Sequence, residues 1–371
     1  MKILIATGLF PPDIGGPATY SKLLFNEFPK YGVSARVLSF SEVRFLPRGI
    51  CHLVYLFKLL KRGKSSDIIY AQDPVSVGLP ALIASKILRK RFILKIVGDF
   101  AWEQGVVRFG VRESLDEFVH KHKKYTFFVR ILKYVEIFVA SRAEKIIVPS
   151  LYLKKIITLW GIAPDKISVV YNAFEKESVS EEEKNLAIKQ YSFNSSDFVI
   201  ISVGRLVPWK GFPILIESIK ELKEEIPSIK LLIAGDGPEL QRLKNLIQDL
   251  HLEETVYLLG KINHHTLFKY VNEDAKLFVL NTGYEGFPHV VLEMISAGLP
   301  VVVTDIGGNS EIISNKKALI KYNNKNALKK VIFDLYKNKD VLEEFKRGEL
   351  EDIKKFSLDK MVKETIKVLS I

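Results

Sequence analysis

The sequence predicts an α/β protein with two doubly wound parallel sheets in two domains. Short apolar runs alternate with helical patterns along the chain, which implies parallel strands whose connecting helices cover both faces of a sheet. A polar, acidic segment at residues 175–184 interrupts this alternation and is the best candidate for a linker. The chain of 371 residues also exceeds the size of one typical core. We therefore expect an N-terminal domain at residues 1–174 and a C-terminal domain at residues 185–350.

Six strands are predicted in the first domain, each a mainly apolar run that ends at a turn or a helical pattern. They are Lys2–Ala6, Ala35–Ser39, Ile68–Ala71, Phe92–Val97, Lys145–Val148 and Ile167–Val170. Between the fourth and fifth strands, residues 127–139 have helical spacing. The face predicted to pack on the sheet consists of Phe128, Ile131, Leu132, Val135, Phe138 and Val139, with Arg130, Lys133 and Glu136 interrupting it. Alternatively, exposed apolar residues of this helix could hold the domain on anionic lipid.

Five strands are predicted in the second domain by the same pattern. They are Phe198–Gly204, Leu231–Ala234, Val256–Leu259, Leu277–Leu280 and Val301–Thr304.

Cysteine content and hydropathy favour a cytoplasmic location. A single cysteine, Cys51, excludes an internal disulfide and favours a reducing compartment. The first apolar run, Met1–Thr7, is too short for a signal peptide, and no stretch reaches the roughly 18 to 20 apolar residues of a membrane span.

Positive charge is concentrated in the first half of the chain. Residues 1–174 carry 27 Lys and Arg against 13 Asp and Glu, whereas residues 175–371 carry 28 against 30. Basic runs at residues 58–64, 89–91 and 121–124 predict attraction to an anionic membrane surface. For a cytoplasmic protein this would be the inner face of the membrane. The charge could instead serve solubility or a soluble anionic acceptor. A nucleic-acid partner is not expected, because no recognition motif accompanies the charge.

Two carboxylates, Glu285 and Glu293, flank the start of a predicted helix in the second domain. Pro288 suits the first helical turn, where a missing N–H group costs nothing, so Glu285 is expected just before the helix and Glu293 on it. The helix N-terminus between them favours a phosphate. The spacing indicates a phosphorylated ligand with hydroxyl groups at both ends, although two acids on an ordinary surface helix would show the same spacing.

Two cations, Arg205 and Lys210, follow the predicted strand that ends at Gly204. Ligands bind at the carboxyl ends of strands in open α/β sheets. The guanidinium fork and the ammonium group could therefore reach one diphosphate.

Together these segments resemble the donor-binding domain of the retaining family-4 glycosyltransferases, whose GT-B fold pairs two Rossmann-like domains across a central cleft. The matching motifs, in order, are G-R-L-x-x-x-K-G at 204–211, G-D-G-P-E at 235–239 and E-G-F-P-x-x-x-L-E at 285–293. The resemblance implies a hexosyltransferase that moves a sugar from a UDP- or GDP-sugar to a hydroxyl group of a carbohydrate or lipid-linked acceptor. It also implies retention of configuration, no metal or other cofactor, and a last helix at about residues 356–371 that crosses back to the N-terminal domain.

The resemblance assigns roles to the site residues. The first Glu of the pair, Glu285, would contact hydroxyl groups of the transferred sugar, and the second, Glu293, would hold the ribose. Arg205, Lys210 and the helix terminus would stabilise the leaving diphosphate. Further donor contacts are expected at Gly16, Gly204, Gly286, Phe287, Pro288 and His289.

Two of the expected site residues lie in the first domain. Gly16 ends a P-P-x-x-G-G loop that borders the donor phosphates in the family, although a turn that merely needs glycine would look the same. Asp99 ends a predicted strand and could orient or partly deprotonate an acceptor hydroxyl group. Its alternative role is a helix cap.

Three alternatives from other functional classes remain. A sugar-nucleotide epimerase or hydrolase would share the fold, but the set of Arg205, Lys210 and Glu285 favours transfer. A non-catalytic sugar-binding subunit would lose the acids, and both are present. A dinucleotide oxidoreductase would need G-x-G-x-x-G after the first strand, and the sequence there lacks it.

Overall fold

The computed structural model describes residues 1–13, 15–47, 49–120, 125–174 and 189–371. Residues 1–173 together with 356–371 form one compact unit, and residues 174–355 form a second. The basic run at 121–124 and the expected linker at 175–184 lie outside the described residues.

The first unit contains a six-stranded parallel sheet in the order β2-β1-β3-β4-β5-β6. Its strands are β1 (Lys2–Thr7), β2 (Ser34–Ser39), β3 (Ile68–Ala71), β4 (Arg91–Lys95), β5 (Lys145–Val148) and β6 (Ile167–Val169). Its α-helices are α1 (Gly16–Glu27), α2 (Ile50–Gly63), α3 (Gly78–Leu88), α4 (Phe100–Arg108), α5 (Leu115–His120), α6 (Phe127–Arg142) and α7 (Leu151–Leu159). Short 3-10 turns lie at Phe28–Tyr31, Phe40–Glu42 and Pro164–Lys166.

The second unit contains a six-stranded parallel sheet in the order β12-β11-β10-β7-β8-β9. Its strands are β7 (Phe198–Val203), β8 (Ile229–Ala234), β9 (Val256–Gly260), β10 (Ala275–Leu280), β11 (Val301–Thr304) and β12 (Leu319–Ile320). Its α-helices are α8 (Phe212–Leu222), α9 (Leu240–Asp249), α10 (His264–Glu273), α11 (His289–Ser296), α12 (Asn309–Ile312), α13 (Lys325–Lys337) and α14 (Lys339–Asp352). Short 3-10 turns lie at Pro208–Lys210, Lys316–Ala318 and Ile353–Lys355.

The two doubly wound sheets confirm the predicted fold class. Most strands are mainly apolar because the sheets are covered on both faces, as in β1, where every residue after Lys2 is buried. The eleven predicted strands all exist, with ends within two residues of those expected. Among the residues that the structure describes, the one strand not predicted is the two-residue β12, because so short a run has no readable pattern.

The last helix, α15 (Leu358–Ser370), belongs to the first unit. Its residues Met361, Val362 and Leu369 are buried in one cluster with α1 and the inner strands. At its ends, Tyr31 Oη donates to Asp359 Oδ1 at 2.6 Å, and Arg91 Nη1 donates to the Leu369 carbonyl oxygen at 2.8 Å.

The apolar face predicted for α6 is wrong in its rotation about the helix axis. The buried residues are Val129, Glu136, Val139 and Ala140. Phe128 and Ile131, expected to pack on the sheet, are 61% and 42% exposed. The error arises because α6 is apolar on two sides, so spacing alone could not select the face that packs.

In the described parts of the chain, every helix is too short or too polar to cross a bilayer.

Candidate active site

The second sheet reverses its winding between β7 and β10. The chain runs β7, β8 and β9 towards one edge and then returns to place β10, β11 and β12 on the other side of β7. Loops that leave neighbouring parallel strands on opposite sides of such a point diverge and leave a crevice, which is where ligands bind in this class of sheet. The segments after β7 and β10 are residues 204–211, which are the first motif, and residues 281–288, which contain the start of the motif at 285–293.

Lys210 and Glu285 meet at this point. Lys210 Nζ donates to Glu285 Oε1 in a close ion pair, and each side chain is 13% exposed. Two opposite charges that are mostly withdrawn from water interact more strongly than a surface pair. The structure thus brings together the residue expected at the diphosphate and the residue expected at the sugar.

Backbone and side-chain hydrogen bonds fix the loop of Lys210 to the loop of Glu285. Gly283 N donates to the Trp209 carbonyl oxygen at 2.6 Å, and Thr282 Oγ1 donates to the same oxygen at 3.3 Å. The buried amide of Asn281 donates to the Gly211 carbonyl oxygen at 2.9 Å and accepts from Asn323 N at 3.1 Å. The two functional side chains are therefore carried by one connected piece of backbone.

Two glycines permit this close approach. Gly211 has φ +56°, and a side chain there would overlap the Asn281 carbonyl oxygen. Gly307 has φ +61°, and a side chain there would overlap the carbonyl oxygen of Glu285, which accepts a hydrogen bond from Gly308 N at 3.1 Å. A larger residue at either position would displace the ion pair.

Helix α11 begins where the sequence motif predicts. Pro288 is the residue immediately before the first helical residue, His289, so it lies one position earlier than the expected first turn. Glu285 precedes the helix and Glu293 lies on it, as expected. Phe287 is 4% exposed and anchors the loop in the core.

Glu293 faces the start of helix α10. Its Oε2 lies 3.9 Å from His264 Nε2, and the His264 ring stacks on Phe268 with a centroid distance of 4.3 Å. His264 could not be singled out from the sequence, because the contact joins residues 29 positions apart on two helices.

Arg205 lies at the exposed surface directly after Gly204, at the end of β7. Its guanidinium group lies 5.5 Å from the centroid of the Trp209 ring, a cation–π contact that orients the side chain.

In the first unit, Gly16 is the first residue of α1, after Gly15 with φ +146°. It follows β1, the strand at which the first sheet reverses its winding. Gly16 therefore lies at the position in its own sheet that corresponds to residues 204–211 in the second.

Asp99 caps α4, which is the alternative role considered for it. Its Oδ1 accepts from Trp102 N at 2.7 Å, and the side chain has no exposed surface. A role at an acceptor hydroxyl group would require this carboxyl group to reach solvent, and in the structure it does not. The structure thus favours the cap over the catalytic assistant.

Asp99 has a buried partner that the sequence did not indicate, Glu136 on α6. Glu136 is also fully buried, and its Oε2 accepts from Ala101 N at 3.2 Å. Burial raises the pKa of Asp99 to about 6 and, together with the negative charge of Asp99, raises the pKa of Glu136 well above its ordinary value. Burial and the neighbouring charge of Asp99 thus favour the protonated form of Glu136.

Two family models match this chain and together cover most of it. The model described as Glycosyltransferase Family 4 matches residues 14–177, and the model described as Glycosyl transferases group 1 matches residues 183–350.

Characterised and uncharacterised relatives agree with these matches. An uncharacterized glycosyltransferase of Methanocaldococcus jannaschii is 30% identical over 67% of this chain and 58% of its own length. The UDP-Gal:alpha-D-GlcNAc-diphosphoundecaprenol alpha-1,3-galactosyltransferase of Escherichia coli is 30% identical over 71% of this chain and 64% of its own length. The chain thus spans about 60% of the length of these curated relatives.

Solved structures show the same fold. HepE from Anabaena in complex with UDP-glucose has a TM-score of 0.72 at 19% identity, over 100% of this chain and 99% of that one. The lipopolysaccharide outer core galactosyltransferase WaaB, in its apo form, has a TM-score of 0.64 at 19% identity with the same coverage. The chain matches both family models and has the same fold as these structures. It therefore belongs to the family-4 glycosyltransferases of GT-B fold.

Proposed function

We propose that this chain transfers a hexose from a UDP-sugar to a hydroxyl group of a lipid-linked acceptor, with retention of configuration, at the cytoplasmic face of a membrane. The observation that carries the proposal is the ion pair of Lys210 and Glu285 at the switch point of the second sheet. It places a cation suited to a diphosphate beside a carboxylate suited to sugar hydroxyl groups.

The chemistry follows from these groups. The bond between the anomeric carbon and the diphosphate oxygen breaks, and its electron pair leaves with the nucleotide. Lys210 and Arg205 stabilise the charge that develops on the diphosphate, and the N-terminus of α11 adds its dipole. The acceptor oxygen bonds to the same face of the anomeric carbon, and its proton passes to the departing phosphate oxygen.

In this proposal Glu285 and Glu293 contact different parts of the donor. Glu285 accepts hydrogen bonds from the hydroxyl groups of the sugar, and Glu293 accepts them from the ribose. The arrival of a diphosphate would draw Lys210 towards the phosphate oxygens and free Glu285 for the sugar.

Relatives support the choice of donor and acceptor. The Escherichia coli relative is named for a UDP-galactose donor and an undecaprenol diphosphate-linked acceptor, and a Campylobacter jejuni relative, 28% identical over 58% of this chain, is named for a diphospho-undecaprenol substrate. The Anabaena structure holds UDP-glucose. We therefore prefer a UDP-sugar to a GDP-sugar and a lipid-linked acceptor to a free carbohydrate.

The test begins with a thermal-shift panel of UDP, GDP, ADP and NAD. A nucleotide that binds the native state raises its midpoint by mass action, and we expect UDP to give the largest shift. The second step incubates the protein with UDP-glucose, UDP-galactose or their N-acetyl forms, with and without detergent-dispersed sugar-diphosphoundecaprenol. We expect acceptor-dependent release of UDP.

Two outcomes would contradict the proposal. UDP release or sugar interconversion that is independent of acceptor would indicate a hydrolase or epimerase. Sugar binding without any turnover would indicate a non-catalytic subunit.

A further inference from the structure

Three neighbouring helices of the first unit expose large apolar side chains. On α2 these are Ile50, Leu53 and Phe57, which are 50%, 59% and 68% exposed. On α6 they are Phe127, Phe128, Ile131 and Tyr134, and on α3 they are Ile83 and Ile87. Single exposed apolar residues are ordinary on a protein surface, but a set carried by adjacent elements marks an interaction site.

The helices form one layer. The chain enters β3, β4 and β5 by successive steps in the same direction across the sheet, so right-handed connections place α2, α3 and α6 on one face. Helix α3 packs against both α2 and α6. Helix α1 connects strands in the opposite direction and lies on the other face.

The exposed apolar residues follow helical spacing. Positions 50, 53 and 57 on α2, and positions 127, 131 and 134 on α6, fall three or four residues apart, so each set forms a stripe. The buried residues Cys51, Tyr55 and Leu59 of α2 lie on the opposite side of that helix. The outward stripe is thus additional to the face that packs on the sheet.

The same layer is cationic. Within the described bounds of the three helices there are seven Lys and Arg and one acidic residue, Glu136, which is fully buried. Lys61, Lys86 and Arg130 are exposed beside the apolar stripes. Not all of the charge is available, because Lys58 and Arg62 pair with Glu42.

We propose that the outward faces of α2, α3 and α6 form a docking surface for an anionic lipid bilayer. Exposed aromatic and aliphatic side chains would enter the interface while Lys and Arg meet the phosphate groups, as in helices that lie in the plane of a membrane. A purely electrostatic partner such as nucleic acid would not account for the apolar stripes. The inference extends the proposed function, since it names the surface by which the protein reaches a lipid-linked acceptor.

The experiment measures co-sedimentation of the full chain with vesicles of phosphatidylcholine alone or with 30% phosphatidylglycerol, at low and high salt. One triple variant removes apolar groups, Leu53→Ser, Phe57→Ser and Ile131→Ser. A second removes charge, Lys61→Gln, Lys86→Gln and Arg130→Gln. A matched control changes two exposed residues of α1 on the other face of the sheet, Lys22→Gln and Phe25→Ser.

We expect the wild type to bind the anionic vesicles and not the neutral ones. The charge variant should bind about 100-fold more weakly at low salt, and its remaining binding should depend little on salt. The apolar variant should bind anionic vesicles at least tenfold more weakly at both salt concentrations. The control variant should bind them as tightly as the wild type does. Thermal midpoints should be unchanged in all variants, because every altered residue is exposed.

The proposal is overturned if the wild type ignores anionic vesicles, or if both triple variants bind them as well as the control does. It is also overturned if the surface is instead covered by a second copy of the chain, seen as a dimer that the apolar variant converts to a monomer. Sugar transfer to the detergent-dispersed acceptor separates this inference from the proposed function. Transfer without vesicle binding rejects only the docking surface, and vesicle binding without transfer rejects only the function.

Discussion

At the scale of single residues, the central feature is a charge pair between two motifs that lie 75 positions apart. Each motif alone predicts a residue type and a place at the end of a strand. Neither predicts that Lys210 and Glu285 form an ion pair with each other. The pairing fixes the two side chains to each other where β7 and β10 end.

Arg205→Ala tests the diphosphate assignment. Loss of one charge-assisted hydrogen bond, worth roughly 1.5–3 kcal/mol, should lower kcat/KM by about 10- to 150-fold and weaken UDP binding. Lys210→Arg should also be impaired, because the two cations differ in shape and reach. Arg242→Ala is the control, since that residue is exposed on α9 and pairs with Glu239. Steady-state kinetics of Arg205→Ala that match those of Arg242→Ala would refute the assignment.

Glu285→Gln and Glu293→Gln test which part of the nucleotide-sugar each carboxylate contacts. Glu285→Gln should reduce turnover far more than it weakens binding of free UDP, because in the proposed mechanism the side chain contacts the sugar and not the nucleotide. Glu293→Gln should weaken UDP binding more, because the nucleotide supplies the ribose. Calorimetric UDP affinity beside turnover checks both variants, and an identical pattern in the two would show that the division of roles is wrong.

At the scale of elements, the site depends on how loops and helices are fixed to one another. The positions of strands could be predicted because a strand covered on both faces is apolar along its length. The contacts of Asn281, Glu136 and His264 could not, because each joins residues distant in the chain. The prediction of which face of α6 packs on the sheet failed for a related reason. A helix that is apolar on two sides, one against the sheet and one exposed, has no single apolar stripe to identify.

Asn281→Ala should disturb the site without removing any group that we assign to the donor. The variant leaves the Gly211 carbonyl oxygen and the Asn323 backbone N–H without their partner, at a cost of about 1–3 kcal/mol in stability. It should also lower kcat, measured at a temperature well below the thermal midpoint, because the backbone that carries Lys210 loses its support. Asn338→Ala is the control, since it removes the cap of α14 and should destabilise the protein without changing kcat. Equal kcat in the two variants would exclude a positioning role.

The carboxyl pair between α4 and α6 predicts a pH dependence of stability. The folded-state pKa values of Asp99 and Glu136 are raised above 3.8 and 4.5, so the stability that the pair contributes is present below about pH 4 and is lost as pH rises through 6. Glu136→Gln keeps a hydrogen-bonding group and needs no proton. At pH 8 its free energy of unfolding should exceed that of the wild type by roughly 1–3 kcal/mol, which a higher thermal midpoint would show. This difference between the two proteins should be smaller at pH 5. A difference that does not change with pH, or one matched by Glu364→Gln on α15, would show that the raised pKa of Glu136 is not its cause.

At the scale of the whole molecule, the absence of a metal requirement stays a prediction. The sequence contains no D-x-D motif and no histidine cluster with ligand spacing near the donor motifs. EDTA should therefore leave sugar transfer within about twofold of the untreated rate, because Lys210, Arg205 and the helix terminus supply the positive charge. Complete loss of activity that Mg²⁺ or Mn²⁺ restores would reject the metal-free mechanism.

The position of α15 has a consequence for synthesis of the chain on the ribosome. The core of the first unit includes Met361, Val362 and Leu369, yet residues 174–355 must be translated before these arrive. At typical elongation rates, the nascent first unit waits on the order of 10 s with the apolar side chains of α1 and the inner strands that pack on α15 left uncovered. During that interval it is a natural client for chaperones, and a chain truncated before residue 356 should accumulate in inclusion bodies even though both sheets are encoded.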